Sequence, residues 1–174
     1  MPTDTLRPDK NNGKKFYLLP INEIIRLEAQ FKAGGVLIFQ SAGLNMNSCV
    51  SHGRRGVWIN ILDASNNTIL HMSIRRGEGS LIFNNFNRGW GRQQDVPLKG
   101  LFKEPNPTIV FYDNGDRYQV MIDYLIVAYF EKRTREDGVA VVYGKDPEQV
   151  SPFSNTLAMT AYTSFSDLIT RVTS

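Results

Sequence analysis

The chain predicts an all-β fold, an antiparallel β-sandwich forming one domain. Short β-rich runs of alternating polarity recur along it, separated by turn signals. Asn114-Gly115 stands between two such runs, and Asn-Gly is among the strongest short-range hairpin signals. No long segment sustains the 3.6-residue period of an amphipathic helix. A length of 174 residues with 41% hydrophobic content suits one domain with a full core.

The elements follow in order. Phe16 to Leu19 opens the fold, and Ile24 to Glu28 supplies a second strand. Val36 to Phe39 follows the Gly34-Gly35 break. Val57 to Leu62 alternates Trp58, Asn60 and Leu62 against Val57, Ile59 and Ile61. Asp63 to Asn67 is a turn cluster. Thr68 to Ile74 and Leu81 to Asn84 flank a tight turn at Arg76-Gly77-Glu78-Gly79. Thr108 to Tyr112 and Arg117 to Ile122 flank Asp113-Asn114-Gly115-Asp116. Leu125 to Phe130, Val139 to Tyr143 and Thr156 to Tyr162 complete the series. Around ten to twelve short strands of this kind indicate a sandwich. Ile21 to Phe31 and Phe165 to Val172 come nearest to a helical period. Residues 1–14 read as a flexible tail, carrying Pro2, Pro8 and Asn11-Asn12-Gly13, and residues 15–174 as the single domain.

Composition narrows the function classes. There is no run of apolar residues long enough to span a bilayer, and no apolar core of a signal peptide at the start. The expectation is cytoplasmic synthesis, with any export to the cell wall or extracellular space by a non-classical route. Cys49 is the only cysteine, so no intrachain disulfide can form. The net charge of +3 is mild and its basic residues are dispersed, unlike the stripe of a nucleic-acid binder. With two histidines and one cysteine, no metal-ligand spacing exists, and no cofactor is implied. No G-x-S-x-G or P-loop occurs.

One stretch carries chemistry. His71, Ser73 and Arg75 are evenly spaced, as are Gln93 and Asp95, so on strands each set shares a face. Neighbouring strands add Asn84 and Trp90. The result is a polar surface with one aromatic plate: hydrogen-bond partners for sugar hydroxyls and a flat ring for the apolar face of a sugar. Trp90 follows Arg88-Gly89, which favours exposure, whereas Trp58 sits in an alternating strand and reads as packed or partly exposed.

The ordered set His71-x-Ser73-x-Arg75, Ile82-x-Asn84 and Trp90-Gly91-x-Gln93-x-Asp95 resembles the galectin carbohydrate-recognition motif. That motif runs H-x-N/S-x-R, V-x-N, W-G-x-E-x-R. Asn60-Ile61-Leu62 ahead of His71, the hairpin Asp113-x-Gly115-Asp116-Arg117-Tyr118 and the basic Glu131-Lys132-Arg133 extend the resemblance. His71-Met72-Ser73-Ile74-Arg75 and Pro105-Asn106-Pro107 are most similar to mushroom galectins. The resemblance covers roughly residues 15–163 and implies a galectin-type jelly roll. It also implies roles: Trp90 stacks on the sugar, His71 and Arg75 bind the axial hydroxyl, and Asn84 binds the primary hydroxyl.

Two positions depart from the motif. The family's Glu is Gln93 here and its following Arg is Asp95. Charge-assisted hydrogen bonds are stronger than neutral ones, so losing both charges is expected to cost lactose affinity about ten- to a hundredfold. The segment Asn85 to Gly89 is also shorter than in mushroom relatives, which bears on the placement of Trp90. A long polar connection from Gly43 to Gly56 borders the groove in the resemblance. Asn45, Asn47, His52, Arg54 and Arg55 are its candidates for contacting further sugar units.

The expectation is therefore a non-catalytic, glycan-binding lectin with altered specificity. Its candidate ligands are an N-acetylated sugar, a chitooligosaccharide or a substituted β-galactoside. It is expected to be a homo-oligomer with no nucleic-acid partner and no membrane insertion. The alternative is a galectin-fold interaction module that has lost sugar binding; a buried Trp90 would favour it. A glycoside hydrolase would need a second carboxylate across a cleft from Asp95.

Overall fold

The computed structural model describes residues 13–47, 56–166 and 168. Twelve strands form two antiparallel sheets of six among these residues. The first sheet orders β1 (Lys14–Pro20), β12 (Thr156–Tyr162), β3 (Val36–Gln40), β8 (Thr108–Asp113), β9 (Arg117–Ile122) and β10 (Leu125–Glu131). The second orders β2 (Glu23–Phe31), β11 (Gly138–Lys145), β4 (Val57–Leu62), β5 (Thr68–Arg75), β6 (Ser80–Phe86) and β7 (Gln94–Pro97). The chain crosses between sheets repeatedly, which leaves β1 and β2 together at one edge and β10 and β7 at the other. No helix among the described residues is long and apolar enough to cross a membrane.

Alternation explains which residues meet inside. In β4, Val57, Ile59 and Ile61 point into the core while Trp58 and Asn60 face outward and are half-buried. In β5, Met72 and Ile74 take the inward positions between His71, Ser73 and Arg75. Aromatic pairs bridge neighbouring strands, such as Phe39 on Phe111 with centroids 5.1 Å apart at 63°.

The sequence-predicted strands all appear, with two differences. Ile21 to Phe31 is no helix: β2 runs through it, paired to β11. Strand β7 has no counterpart among the alternating runs. Gln94-Asp95-Val96-Pro97 lacks an apolar face of its own and ends in a proline, and it forms by pairing with β6 at the sheet edge. Beyond β12 a helical turn begins at Phe165, whose ring packs on Tyr112 at 5.1 Å. Gly13 and Lys14, assigned to the tail from sequence, already bond to Thr163 and pair with Tyr162.

The β8–β9 hairpin anchors the loop after β10. Gly115 takes φ 87°, a conformation that side chains resist. Asp113 is fully buried; it accepts the Gly115 N–H at 2.9 Å and pairs with Lys132 Nζ at 2.7 Å. This pair fixes where Lys132 and its neighbour Arg133 stand. Removing Lys132 would strand a buried carboxylate, whereas the Lys15–Glu28 pair at 3.8 Å is solvated. Lys132→Met should lower unfolding free energy by about 3 kcal/mol in urea titrations. Lys15→Ala should cost less than about 1 kcal/mol.

Candidate functional site

Register assembles the site in rows across β4, β5 and β6. Asn60 lies opposite His71, and His71 opposite Asn84. One step along, Trp58 opposes Ser73, Ser73 opposes Ile82, and Ile82 opposes Asp95 on β7. The even spacing read from sequence thus delivers His71, Ser73, Arg75 and Asn84 to one outer face.

The short segment after β6 closes as a tight hairpin that carries Trp90 back onto this face. Phe86 bridges to Trp90, the Asn87 N–H donates to Gly89 O at 3.0 Å, and Arg88 turns the chain at φ 64°. The Trp90 ring lies 4.7 Å from His71, tilted by 56°, and edge-on to Phe86 at 5.2 Å. It remains 56% exposed. A large aromatic left open beside polar groups is a plate for a ligand with one apolar face.

The hairpin is latched by Arg133, from the loop after β10. Its Nη1 donates to Asn84 Oδ1 and Asn85 Oδ1, both at 2.9 Å, and its Nη2 to Arg92 O at 2.6 Å. Asn84 completes the latch by donating Nδ2 to Gly91 O at 3.0 Å. Gly91 is required by this approach: a Cβ there would sit 2.7 Å from Arg133 Nη1. Asn84, expected from the resemblance to serve the sugar, therefore also holds the loop that bears Trp90.

His71 is oriented and kept neutral. Its Nδ1 lies 2.6 Å from Asn60 Oδ1. An amide oxygen only accepts, so Nδ1 carries the proton and Nε2 holds the lone pair. Burial, and then the Arg75 charge, push its pKa down to about 4. The ring thus offers a hydrogen-bond acceptor at neutral pH. Arg75 beside it is a donor: Nη1 reaches Glu78 Oε2 at 3.4 Å and Gln93 Oε1 at 3.5 Å. Its Nε is buried with no hydrogen-bond partner among the described residues.

Gln93 and Asp95 share a face as their spacing predicts. Gln93 Nε2 donates to Asp95 Oδ1 at 2.9 Å. Two grooves meet at His71, Arg75 and Trp90. One, of about 250 Å³, runs past Asn84, Gly91 and Gln93. The other, of about 270 Å³, runs past Ser73, Asn60, Trp58 and Asp146. Ser73 is almost fully buried on the floor of the second.

The long polar connection is partly described. Asn45 donates its N–H to Pro152 O at 2.7 Å, and its Oδ1 accepts the Asn47 N–H at 3.0 Å; neither residue lines these two grooves. His52, Arg54 and Arg55 lie outside the described residues. Three groove residues, and the Arg133 that latches the hairpin, escaped the sequence assignment of roles. Asn60 and Trp58 were legible as outward positions of an alternating strand. Arg133 lay in a noted basic segment, but its partners are remote in sequence. Asp146, which accepts the Gly56 N–H at 3.1 Å, carried no signal. No group of His, Cys, Asp and Glu among the described residues could hold a metal ion.

An antiparallel sandwich with an exposed tryptophan plate beside a neutral histidine and an arginine defines a lectin-type β-sandwich. The chain is 39% identical to Galectin-1 of Coprinopsis cinerea over 132 residues, spanning 75% of this chain and 84% of that protein. It is 36% identical to Galectin-2 of the same organism over 132 residues. It therefore belongs to the galectin family. An anti-tumor lectin of Cyclocybe aegerita is 24% identical over 156 residues, 87% of this chain and 98% of that protein. The fold matches Caenorhabditis elegans galectin LEC-6 with a TM-score of 0.61 at 20% identity, covering 84% of this chain and 94% of that one. No protein-family model matches the sequence.

Two outcomes follow from the geometry. His71 binds a proton less readily folded than unfolded, so the unfolded state gains protons first as pH falls. Its contribution to stability is complete above about pH 6.5 and is lost as pH falls toward about 4. The loss should be on the order of 3 kcal/mol in urea titrations across that window and should shrink in His71→Gln. Separately, Arg133→Ala removes three hydrogen bonds from the latch. It should cost about 1–3 kcal/mol and broaden the Trp90 indole resonance while leaving that of Trp58 sharp.

Proposed function

We propose that this galectin is a non-catalytic lectin that binds glycans across Trp90, His71 and Arg75. Its specificity is shifted from plain β-galactosides toward N-acetylated sugars, chitooligosaccharides or substituted galactosides. The observation that carries the reading is the exposure of Trp90 on the face of His71 and Arg75. A fold retained only for protein contacts would have no reason to hold a tryptophan open over a neutral histidine. The relatives' names, two galectins and a lectin, agree with this reading.

Position 93 supports the shift in specificity. A glutamate there would only accept hydrogen bonds. Gln93 turns its oxygen toward Arg75 and its amide nitrogen toward Asp95, leaving one N–H to donate. A ligand acceptor such as an acetamido carbonyl suits that donor. The carboxylates near the grooves support a binding role over hydrolysis. Asp95 accepts from Gln93, Glu78 from Arg75 and Asp146 from the Gly56 N–H. Each of these carboxylates is already engaged by a donor of the protein itself.

Calorimetry with lactose and N-acetyllactosamine tests the assignment. Gln93→Glu alone places a second carboxylate against Asp95 and should help little or weaken binding. Gln93→Glu with Asp95→Arg should bind more tightly than the wild type, with a coupling on the order of 1 kcal/mol. Trp90→Ala should abolish binding in every background. A folded double variant no better than the wild type would remove Gln93 and Asp95 from the site.

We further propose that the chain is a homo-oligomer, which would gain avidity by presenting several sites. Edge strand β1 supports this: Phe16 and Leu18 point outward and are exposed. Sedimentation should give a mass above 19.7 kDa at micromolar concentration, and Phe16→Lys should reduce it.

A further inference from the structure

The groove of about 270 Å³ has an aromatic platform of its own. Trp58 on β4 stands directly opposite Gly144 of β11. A Cβ at Gly144 would lie 2.6 Å from Trp58 Nε1 and 2.9 Å from its Cε2. Only a residue without a side chain lets the indole rest there. On its other flank Trp58 opposes Ser73, a small residue. The ring is thus seated on the outer face of the sheet, half-buried, and lines the groove together with Asp146.

Asp146 stands one pleat farther along. Past the end of β11 the ladder continues for a step: the Asp146 N–H donates to Gly56 O at 3.3 Å, and the Gly56 N–H donates to Asp146 Oδ2 at 3.1 Å. Positions 144 and 146 share a face and lie roughly 7 Å apart along the chain. A sugar ring laid on the indole over Gly144 therefore has the carboxylate at its edge.

The charges of this groove do not cancel. Arg75 is paired with Glu78 at 3.4 Å. His71 is neutral. Asp146 has no Lys, Arg or His within ion-pair distance among the described residues, and its Oδ2 meets only a neutral backbone amide. The charge left uncompensated is negative, and it adjoins the face of an indole. Both attract an ammonium group, the carboxylate through a charge-assisted hydrogen bond and the indole through its quadrupole.

We propose that this groove is a second subsite for a sugar unit carrying a free amine, its ring stacked on Trp58 and its ammonium held by Asp146. The inference rests on the glycan-binding reading above. The two grooves share His71, Arg75 and Trp90, so one oligosaccharide can run from the Trp90 plate into the Trp58 groove. An acetamido carbonyl toward Gln93 and an ammonium toward Asp146 together describe a partially deacetylated chitooligosaccharide. An N-acetyl group in the Trp58 groove would offer Asp146 no charge.

Calorimetry with lactose, chitotetraose and half-deacetylated chitotetraose tests the proposal. At about pH 6 a free amine is protonated while His71 stays neutral. The wild type should then prefer the half-deacetylated tetramer by about fivefold, and the preference should vanish at about pH 9, where the amine is neutral. Asp146→Asn keeps an oxygen for the Gly56 N–H and removes the charge. It should abolish the preference and leave binding of chitotetraose unchanged. Trp58→Leu should weaken both tetramers several-fold, with folding of each variant checked by circular dichroism. Equal affinity of the wild type for the two tetramers would overturn the proposal. So would a preference that persists in Asp146→Asn or at about pH 9, or tetramer binding untouched by Trp58→Leu. Binding of lactose or chitotetraose in those cases leaves the lectin reading standing. A folded wild type that binds none of the three sugars would remove both.

Discussion

The row Asn60, His71, Asn84 is the constraint on which the site depends. Three residues on three strands lie directly opposite one another. A one-residue slip of either ladder would turn His71 into the core and Met72 out to solvent. The ladders cannot slip, because the inward faces of β4 and β5 are wholly apolar and close-packed. Core burial therefore sets the positions of the polar residues. At the row's two ends the roles divide. Asn60 fixes the histidine tautomer, and Asn84 fixes the hairpin that carries Trp90.

Asn84 and His71 are bonded on the protein side, while the buried Nε of Arg75 has no partner among the described residues. Asn84 uses its oxygen on Arg133 and the Asn85 N–H, and its nitrogen on Gly91. His71 uses Nδ1 on Asn60. Trp90 rests on His71 and Phe86 and leaves its other surface to water. Such a surface needs little rearrangement to bind, which limits the ordering cost that weakens shallow sites.

Much of this was legible in the chain because strand geometry converts spacing directly into facing. The even intervals between His71, Ser73 and Arg75, and between Gln93 and Asp95, were enough to place each set on one face. Asn114-Gly115 located its hairpin for the same local reason. What escaped was long-range. Arg133 meets Asn84 and Arg92 only because the buried Lys132–Asp113 pair fixes its loop, and nothing local in sequence announces that contact. Strand β7 exists only as the partner of β6. The part Asn84 plays in holding the hairpin could not be read from a motif either, since a motif names the residue and not its neighbours.

The central claim is that glycan binding occurs across Trp90, on the hairpin that Arg133 latches. Titrating the labelled protein with an N-acetylated or galactoside ligand, while following side-chain resonances by NMR, tests this most directly. The account predicts saturable shifts at the Trp90 indole, the His71 ring and the Arg133 guanidinium, and little change at Phe16 or Leu18 on the far sheet. Shifts confined to the far sheet, with Trp90 unmoved at saturation, would contradict it.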